Sequence, residues 1–261
     1  MSETETLPEL EVSRRGPVLW LVLQREARRN AMNHAVLAGL AQAIGQAQAD
    51  PGVRAIVITG AGAKAFCSGS DLQSGNAFTS DPSQPRAPLA QLLRVAHASH
   101  VPLIARVNGA CLAGGMGLLA MCDLAVAATH AVFGLPEVKV GVFPAQVLSV
   151  LQHLVPRRRL VEMCLTGEPM GAAEALACGL VNQLADDVDV ALDALLARML
   201  DKSPAAIRRG LYTMKAIESM PFEESVTFTE SQIALFALTD DAREGQAAFR
   251  EKRKPQWKDG T

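Results

Sequence analysis

The stretch NGACLAGGMGLLAMCD, Asn108 to Asp123, decides how this chain is read. Four glycines and three alanines crowd into it, between the apolar run PLIARV and a second run, LAVA. Glycine lets main chain approach a ligand or a neighbouring element closely, and N–H groups at a helix start point outward without intrahelical partners. A helix opening at Gly114 and Gly115 and running through MGLLAM leaves their amides available to polarise a carbonyl. The turn FCSGSDL, 66 to 72, offers a second donor from another strand end. Two amides aimed at one oxygen make an oxyanion hole. Glycines required only for close helix–sheet packing are the alternative reading of the same residues.

Outward from this stretch, β-branched and leucine-rich runs predict strands at 18–24 (VLWLVLQ), 54–59 (RAIVIT), 103–107 (LIARV) and 123–128 (DLAVAA). Helical patterns lie between them. Asn33 is a candidate N-cap for a face made of Val36, Leu37, Leu40, Ala41, Ile44 and Ala47, and Leu89, Leu92, Leu93 and Ala96 trace another. Strands alternating with helices predict an α/β fold with parallel βαβ units, whose ligands bind at the carboxyl ends of the strands. After about residue 145 helical periodicity dominates, broken at Pro156, Gly171, Gly179, Pro204 and Pro221. The segment 73–88, QSGNAFTSDPSQPRAP, is the one long Gly/Ser/Pro-rich loop, and no repeat recurs at a fixed period.

Composition narrows the function classes. A chain of 261 residues, 49% hydrophobic and 20% charged, is long enough for a large core. A net charge of -2 gives no electrostatic footprint for nucleic acid or an anionic membrane, and the triplet Arg157 to Arg159 is read as a solvated helix start. No apolar run approaches the ~20 residues needed to span a bilayer. Five cysteines without close ligand pairs predict reduced thiols and neither a disulfide framework nor a metal site. The acidic N-terminus MSETETLPELEV resembles neither a secretory signal nor a transit peptide, so the expected location is cytoplasmic. The segment TGAGAKA, 59 to 65, matches G-x-G-x-x-A after a strand, but no helix pattern opens there. A dinucleotide-binding reading fails on that point, and TGAG is read as a tight turn.

Six ordered segments resemble the crotonase, or enoyl-CoA hydratase/isomerase, family over nearly the whole chain. They are REARRNAMN (25–33), ITGAGAKAFCSGSDL (58–72), VPLIARVNGACLAGGMGLLAMCDLAVA (101–127), AVFGLPEVKVGVFP (131–144), LTGEPMGAAEALACGLVN (165–182) and EGQAAFREKRKPQW (244–257). The resemblance implies a crotonase spiral of repeated ββα units over residues 1–200 and a helical trimerisation region over 201–261. It implies a homotrimer or a hexamer built as a dimer of trimers, an acyl-CoA thioester as substrate, and no cofactor beyond the coenzyme A that the substrate carries. It puts the oxyanion donors at the backbone N–H groups of Ser70 and Gly114. Arg29, Ala31, Ser68, Asp71 and Leu72 fall on segments that hold the adenine and pantetheine portions of CoA, and Phe249 and Lys252 match positions that reach CoA on a neighbouring subunit.

Two departures stand out against that resemblance. Hydratases of the family typically carry two glutamates; the second is present as Glu137, in FGLPEV, but the first position is Gly117. A carboxylate among apolar neighbours has its charged form destabilised, which raises its pKa toward the range useful for proton transfer. One such group suffices to activate water and return the proton to the enolate, as in hydration of a branched or glutaconyl-type 2-enoyl-CoA. It also suffices to move a proton between carbons in a Δ3–Δ2 isomerisation. An inactive acyl-CoA-binding relative is the third possibility, with Gly117 marking room for substrate bulk in the first two. The second departure is PAQVLS, 144–149, where many members have a glycine-rich stretch.

Overall fold

A computed structural model describes residues 4–7, 9–72, 83 and 85–258 of the chain. Most of the Gly/Ser/Pro-rich segment 73–88 lies outside the described residues. Eleven strands are present among the described residues: β1 (Thr4–Leu7), β2 (Leu10–Arg15), β3 (Val18–Leu23), β4 (Ala55–Gly60), β5 (Ala65–Cys67), β6 (Leu103–Val107), β7 (Ala110–Leu112), β8 (Leu124–Ala128), β9 (Val132–Gly134), β10 (Met170–Gly171) and β11 (Gln183–Ala185). Seven form one sheet in the order β1-β2-β3-β4-β6-β8-β11, and four form a second in the order β10-β9-β7-β5.

The large sheet is antiparallel at its β1-β2-β3 edge and parallel from β3 to β11. Its central strand β4 reads AIVITG and is buried at every position, as a parallel strand covered on both faces must be. All four predicted strand runs are found, with ends that differ by a residue or two. The short strands of the small sheet and β11 were not anticipated, because runs of two or three residues are too short to show periodicity.

Helix α1 (His34–Ala49) begins where Asn33 predicts: the Asn33 side chain accepts a hydrogen bond from the Val36 N–H at 3.0 Å. Helices α2 (Pro88–His97) and α3 (Gly114–Ala120) follow. The chain repeats one turn of architecture, a strand in the large sheet, a short strand in the small sheet and then a helix: β4-β5-α2, β6-β7-α3, and β8-β9 followed by a 3-10 helix over Pro136–Val140. That is the ββα spiral the resemblance implies.

Beyond it come α4 (Leu148–Leu151), α5 (Arg157–Thr166), α6 (Ala172–Ala177), α7 (Val188–Leu200), α8 (Pro204–Ile217), α9 (Phe222–Ala237) and α10 (Asp240–Glu251). Arg159, read as solvated, is tied to Glu162 and Glu174 at 2.6 Å each. Helix α8 is anchored to the spiral by buried polar contacts. Arg208 donates to the carbonyls of Gln48, Asp50 and Val53, and Lys215 pairs with Asp123 at 3.0 Å. Helix α9 leaves Phe222, Val226, Ile233 and Leu235 exposed, with only Gln232 buried. Among the described residues no helix is long and apolar enough to cross a membrane.

Candidate active site

Three neighbouring parallel strands of the small sheet, β5, β7 and β9, with a register shift against β7 between Ala65 and Cys67 of β5, open at their carboxyl ends into the segments that carry Ser70, Gly114 and Glu137. The Ala113 N–H donates to the Gly134 carbonyl at 2.9 Å, so the residue before Gly114 is fastened to the residue three before Glu137. The ends of parallel strands are where α/β sheets present ligand-binding loops.

After β5 the chain bridges to Met32, whose N–H donates to the Gly69 carbonyl at 2.7 Å while its carbonyl accepts the Asp71 N–H at 2.9 Å. With those two bonds on one side, the N–H of the intervening Ser70 faces the other, towards the start of α3. Gly69 adopts a φ of +99°, and a Cβ on it would stand 2.7 Å from Ala113 Cβ and 3.2 Å from Gly114 N. A Cβ on Gly114 would lie 3.8 Å from Ser70 N. The two amides therefore border one small volume. Ala113 holds a φ of +51°, a conformation that costs a non-glycine residue about 1–3 kcal/mol and persists where its surroundings enforce it. Helix α3 starts at Gly114, as the sequence predicts, and Gly115 answers the packing alternative: a Cβ there would meet the Cys67 carbonyl oxygen at 2.4 Å. The close-packing reading of the glycines thus holds at Gly115.

Glu137 sits in the first turn of the 3-10 helix and is 8% exposed. Its Oε2 is buried and has no hydrogen-bond partner among the described residues. Burial pushes its pKa up, offset in part by its own backbone N–H. Cys164 of α5 lies close enough that the Glu137 charge, after burial, adds to the upward push on its thiol. A buried carboxylate with an oxygen left without a partner among the described residues is equipped to exchange a proton with a bound molecule.

Gly117 lies one turn beyond Gly114 on α3. A Cβ there would come within 2.8 Å of Val147 Cγ1 and 3.6 Å of Val147 Cβ. Val147, 3% exposed, fills the place where a side chain on Gly117 would begin. The two departures from the family pattern are thus one feature, since Val147 belongs to PAQVLS. Gly117→Ala is expected to be strained against the Cγ1 methyl. Val147→Ala in the same chain relieves it, because the remaining Cβ is at ordinary contact distance. A double-mutant cycle by urea unfolding should give a coupling of about 0.5–3 kcal/mol; additive effects would show that the two positions are not in contact.

The other expected substrate-binding residues cluster around the first strand end. Arg29 is exposed with a φ of +50°, and its carbonyl accepts the Ser68 N–H at 3.1 Å. The Ala31 carbonyl accepts from Arg25 Nη1 at 2.5 Å, and Asp71 pairs with Arg25 Nη2 at 2.6 Å. Arg25 also pairs with Glu9 at 2.8 Å, making it the hub that holds this wall in shape. Sequence reasoning missed Arg25 and Val147; the only signal for the second was the PAQVLS departure. Leu72 is exposed beside Asp71. Phe249, 86% exposed, and Lys252 lie at the end of α10, which packs against α8 and α9, so they are not brought to the strand ends.

The family model described as "Enoyl-CoA hydratase/isomerase" matches residues 14–260. The chain is 34% identical to 2,3-dehydroadipyl-CoA hydratase of Escherichia coli strain K12, over 97% of this chain and 99% of that protein. It is 31% identical to (E)-benzylidenesuccinyl-CoA hydratase of Thauera aromatica, over 94% and 96% respectively. Among solved structures, an enoyl-CoA hydratase of Mycobacterium smegmatis superposes with a TM-score of 0.91 at 33% identity, covering 96% of this chain and 99% of that one.

Proposed function

The chain belongs to the enoyl-CoA hydratase/isomerase family, and from that premise we propose that it is an enzyme adding water across the double bond of a 2-enoyl-CoA. The observation that supports this reading is that Ser70, Gly114 and Glu137 each follow the carboxyl end of one of three adjacent parallel strands. The amides of Ser70 and Gly114 bind the thioester oxygen. Glu137, ionised, takes a proton from a water molecule as its oxygen bonds to C3. The C2–C3 π electrons move onto the thioester oxygen, where the two donors stabilise the enolate. Collapse of the enolate takes the proton from Glu137 onto C2, which returns the carboxylate to its starting state.

The relatives named as hydratases support water addition. The lone Glu137 favours a second reading, in which the same carboxylate carries a proton between C2 and C4 of a 3-enoyl-CoA. Absorbance separates them: hydration removes the conjugation of crotonyl-CoA, isomerisation creates conjugation from a 3-enoyl ester, and binding without either change would refute both. Arg29, Ala31, Ser68, Asp71 and Leu72 hold the CoA portion in this account, and no other cofactor takes part.

The same proposal makes residues 201–261 an oligomerisation region and the assembly a homotrimer or hexamer, with Phe249 and Lys252 closing the CoA site of a neighbouring subunit. Support comes from the exposed large apolar residues Phe222, Val226, Ile233 and Leu235 of α9 and Phe249 of α10. Light scattering is expected to give a trimer or hexamer; a monomer with full activity would contradict the shared site. Five free cysteines support a reducing, cytoplasmic location.

A further inference from the structure

Met32 touches both segments that carry the candidate oxyanion donors. Its main chain forms an isolated parallel bridge with Ser70: the Met32 N–H donates to the Gly69 carbonyl at 2.7 Å, and its carbonyl accepts the Asp71 N–H at 2.9 Å. Those two bonds fix the chain on either side of Ser70 and leave the Ser70 N–H turned the other way. The side chain runs to Gly114. Its terminal methyl, Cε, lies 2.8 Å from the point where a Cβ on Gly114 would stand, with Gly69 Cα at 3.7 Å and Ser70 N at 3.8 Å from the same point. The Met32 methyl and the Ser70 amide therefore both border the space that Gly114 leaves by having no side chain. Met32 is 3% exposed and belongs to the main hydrophobic core, and an unbranched thioether with three rotatable bonds suits so irregular a gap.

We propose that Met32 is a positioning residue for the reaction, a spacer that sets the distance between the Ser70 and Gly114 amides before charge develops on the thioester oxygen. Donors stabilise an enolate only as far as they stand in place beforehand, and a shift of about 1 Å can cost ~10²-fold in rate. The bridge to Ser70 uses main-chain atoms alone, whereas the contact with Gly114 needs the Met32 methyl. Truncating the side chain therefore removes one tie and keeps the other. This rests on the reading of Ser70 and Gly114 as donors to a thioester oxygen, and the test reads that oxygen directly so that the two can fail separately.

The probe is butyryl-CoA labelled with carbon-13 at the thioester carbonyl, a saturated ester with no double bond to hydrate. Its C=O stretch is read by difference infrared spectroscopy, and hydrogen bonds to the oxygen lower that frequency. The full chain is compared with Met32→Ala, Met32→Leu and Leu92→Ala. Leu92, fully buried on α2 in the same core, controls for loss of packing alone. Met32→Ala is expected to lose most of the downshift and to lower kcat for crotonyl-CoA by ~10-fold to 10²-fold, with KM within a few-fold. Met32→Leu, which nearly conserves volume, restores both, and Leu92→Ala leaves the downshift unchanged. Where circular dichroism shows the alanine variant unfolded, Met32→Val, which also lacks the terminal methyl, takes its place. A full downshift in the folded truncation, or an equal loss in Leu92→Ala, would overturn the proposal. The expected shifts with no turnover of any enoyl-CoA would sustain the spacer and refute the hydratase reading. No downshift in the parent chain would overturn the donor reading and the spacer with it.

Discussion

Glu137→Gln is expected to lower kcat by ~10²-fold to 10⁴-fold, the usual range for loss of a positioned acid or base, while CoA ester affinity stays within a few-fold. Glutamine keeps the volume of the side chain and removes its ability to exchange a proton. The variant isolates proton transfer because, among the described residues, Glu137 makes no ion pair whose loss would disturb packing and its buried Oε2 has no partner to abandon. The pH profile carries the same signature. Burial raises the pKa of Glu137, and the first step needs the ionised form. The acid limb of kcat/KM in the parent enzyme should therefore lie above the ordinary glutamate range, with activity falling as pH drops through it. Stability moves oppositely. For a group whose folded-state pKa is raised, the contribution to stability is fully present below the unfolded-state value and is lost as pH rises through the folded-state value. Relative to the parent, Glu137→Gln should thus gain thermal stability at pH 7 over what it shows at pH 4. A variant with unimpaired turnover would remove Glu137 from the mechanism.

The second large effect is expected at Gly114. Proline there deletes the amide hydrogen and should cost about 3 to 4 kcal/mol of transition-state stabilisation, the scale of one lost oxyanion donor. Proline is tolerated at the first position of a helix, but the residue before it is pushed towards extended backbone, and Ala113 holds a φ of +51°. Gly114→Ala is the control. It keeps the N–H and adds only a Cβ, whose closest contact would be the flexible end of Met32 at 2.8 Å. The alanine variant should retain most of the activity that the proline variant loses, with unfolding followed for both. Equal losses would mean that crowding at Gly114, not its amide, controls the rate.

The parts of this molecule that were legible in the sequence are those where one residue's environment is set by near neighbours. Strand β4 shows itself because six consecutive buried positions demand an unbroken apolar run, and α1 because Asn33 caps a regular apolar face. The start of α3 at Gly114 was legible for a similar local reason. The small sheet that presents the candidate site was not, since Ala65–Cys67, Ala110–Leu112 and Val132–Gly134 are each three residues long. Their identity as strands comes from pairing with one another across tens of residues. The ββα turns recur in space without a fixed period in sequence because their connecting segments differ in length. Val147 filling the notch at Gly117 is a contact across thirty positions, and the Arg25 ties to Glu9 and Asp71 are of the same kind. Single-sequence patterns carry no signal for such pairs; the family resemblance supplied the candidate site residues instead, and the oddness of Gly117 with them.

In the proposed hydration one carboxylate, Glu137, both activates the water and protonates C2. A single group on one side of the bound ester can deliver hydroxyl and proton only to the same face of the double bond. Hydration of crotonyl-CoA in deuterium oxide, with the relative configuration of the product at C2 and C3 read from proton coupling constants, tests this most directly. One deuteron is expected at C2, placed syn to the new hydroxyl, with its formation slowed ~10²-fold to 10⁴-fold in Glu137→Gln. Anti addition, or a mixture of both configurations formed at the enzymatic rate, would contradict it.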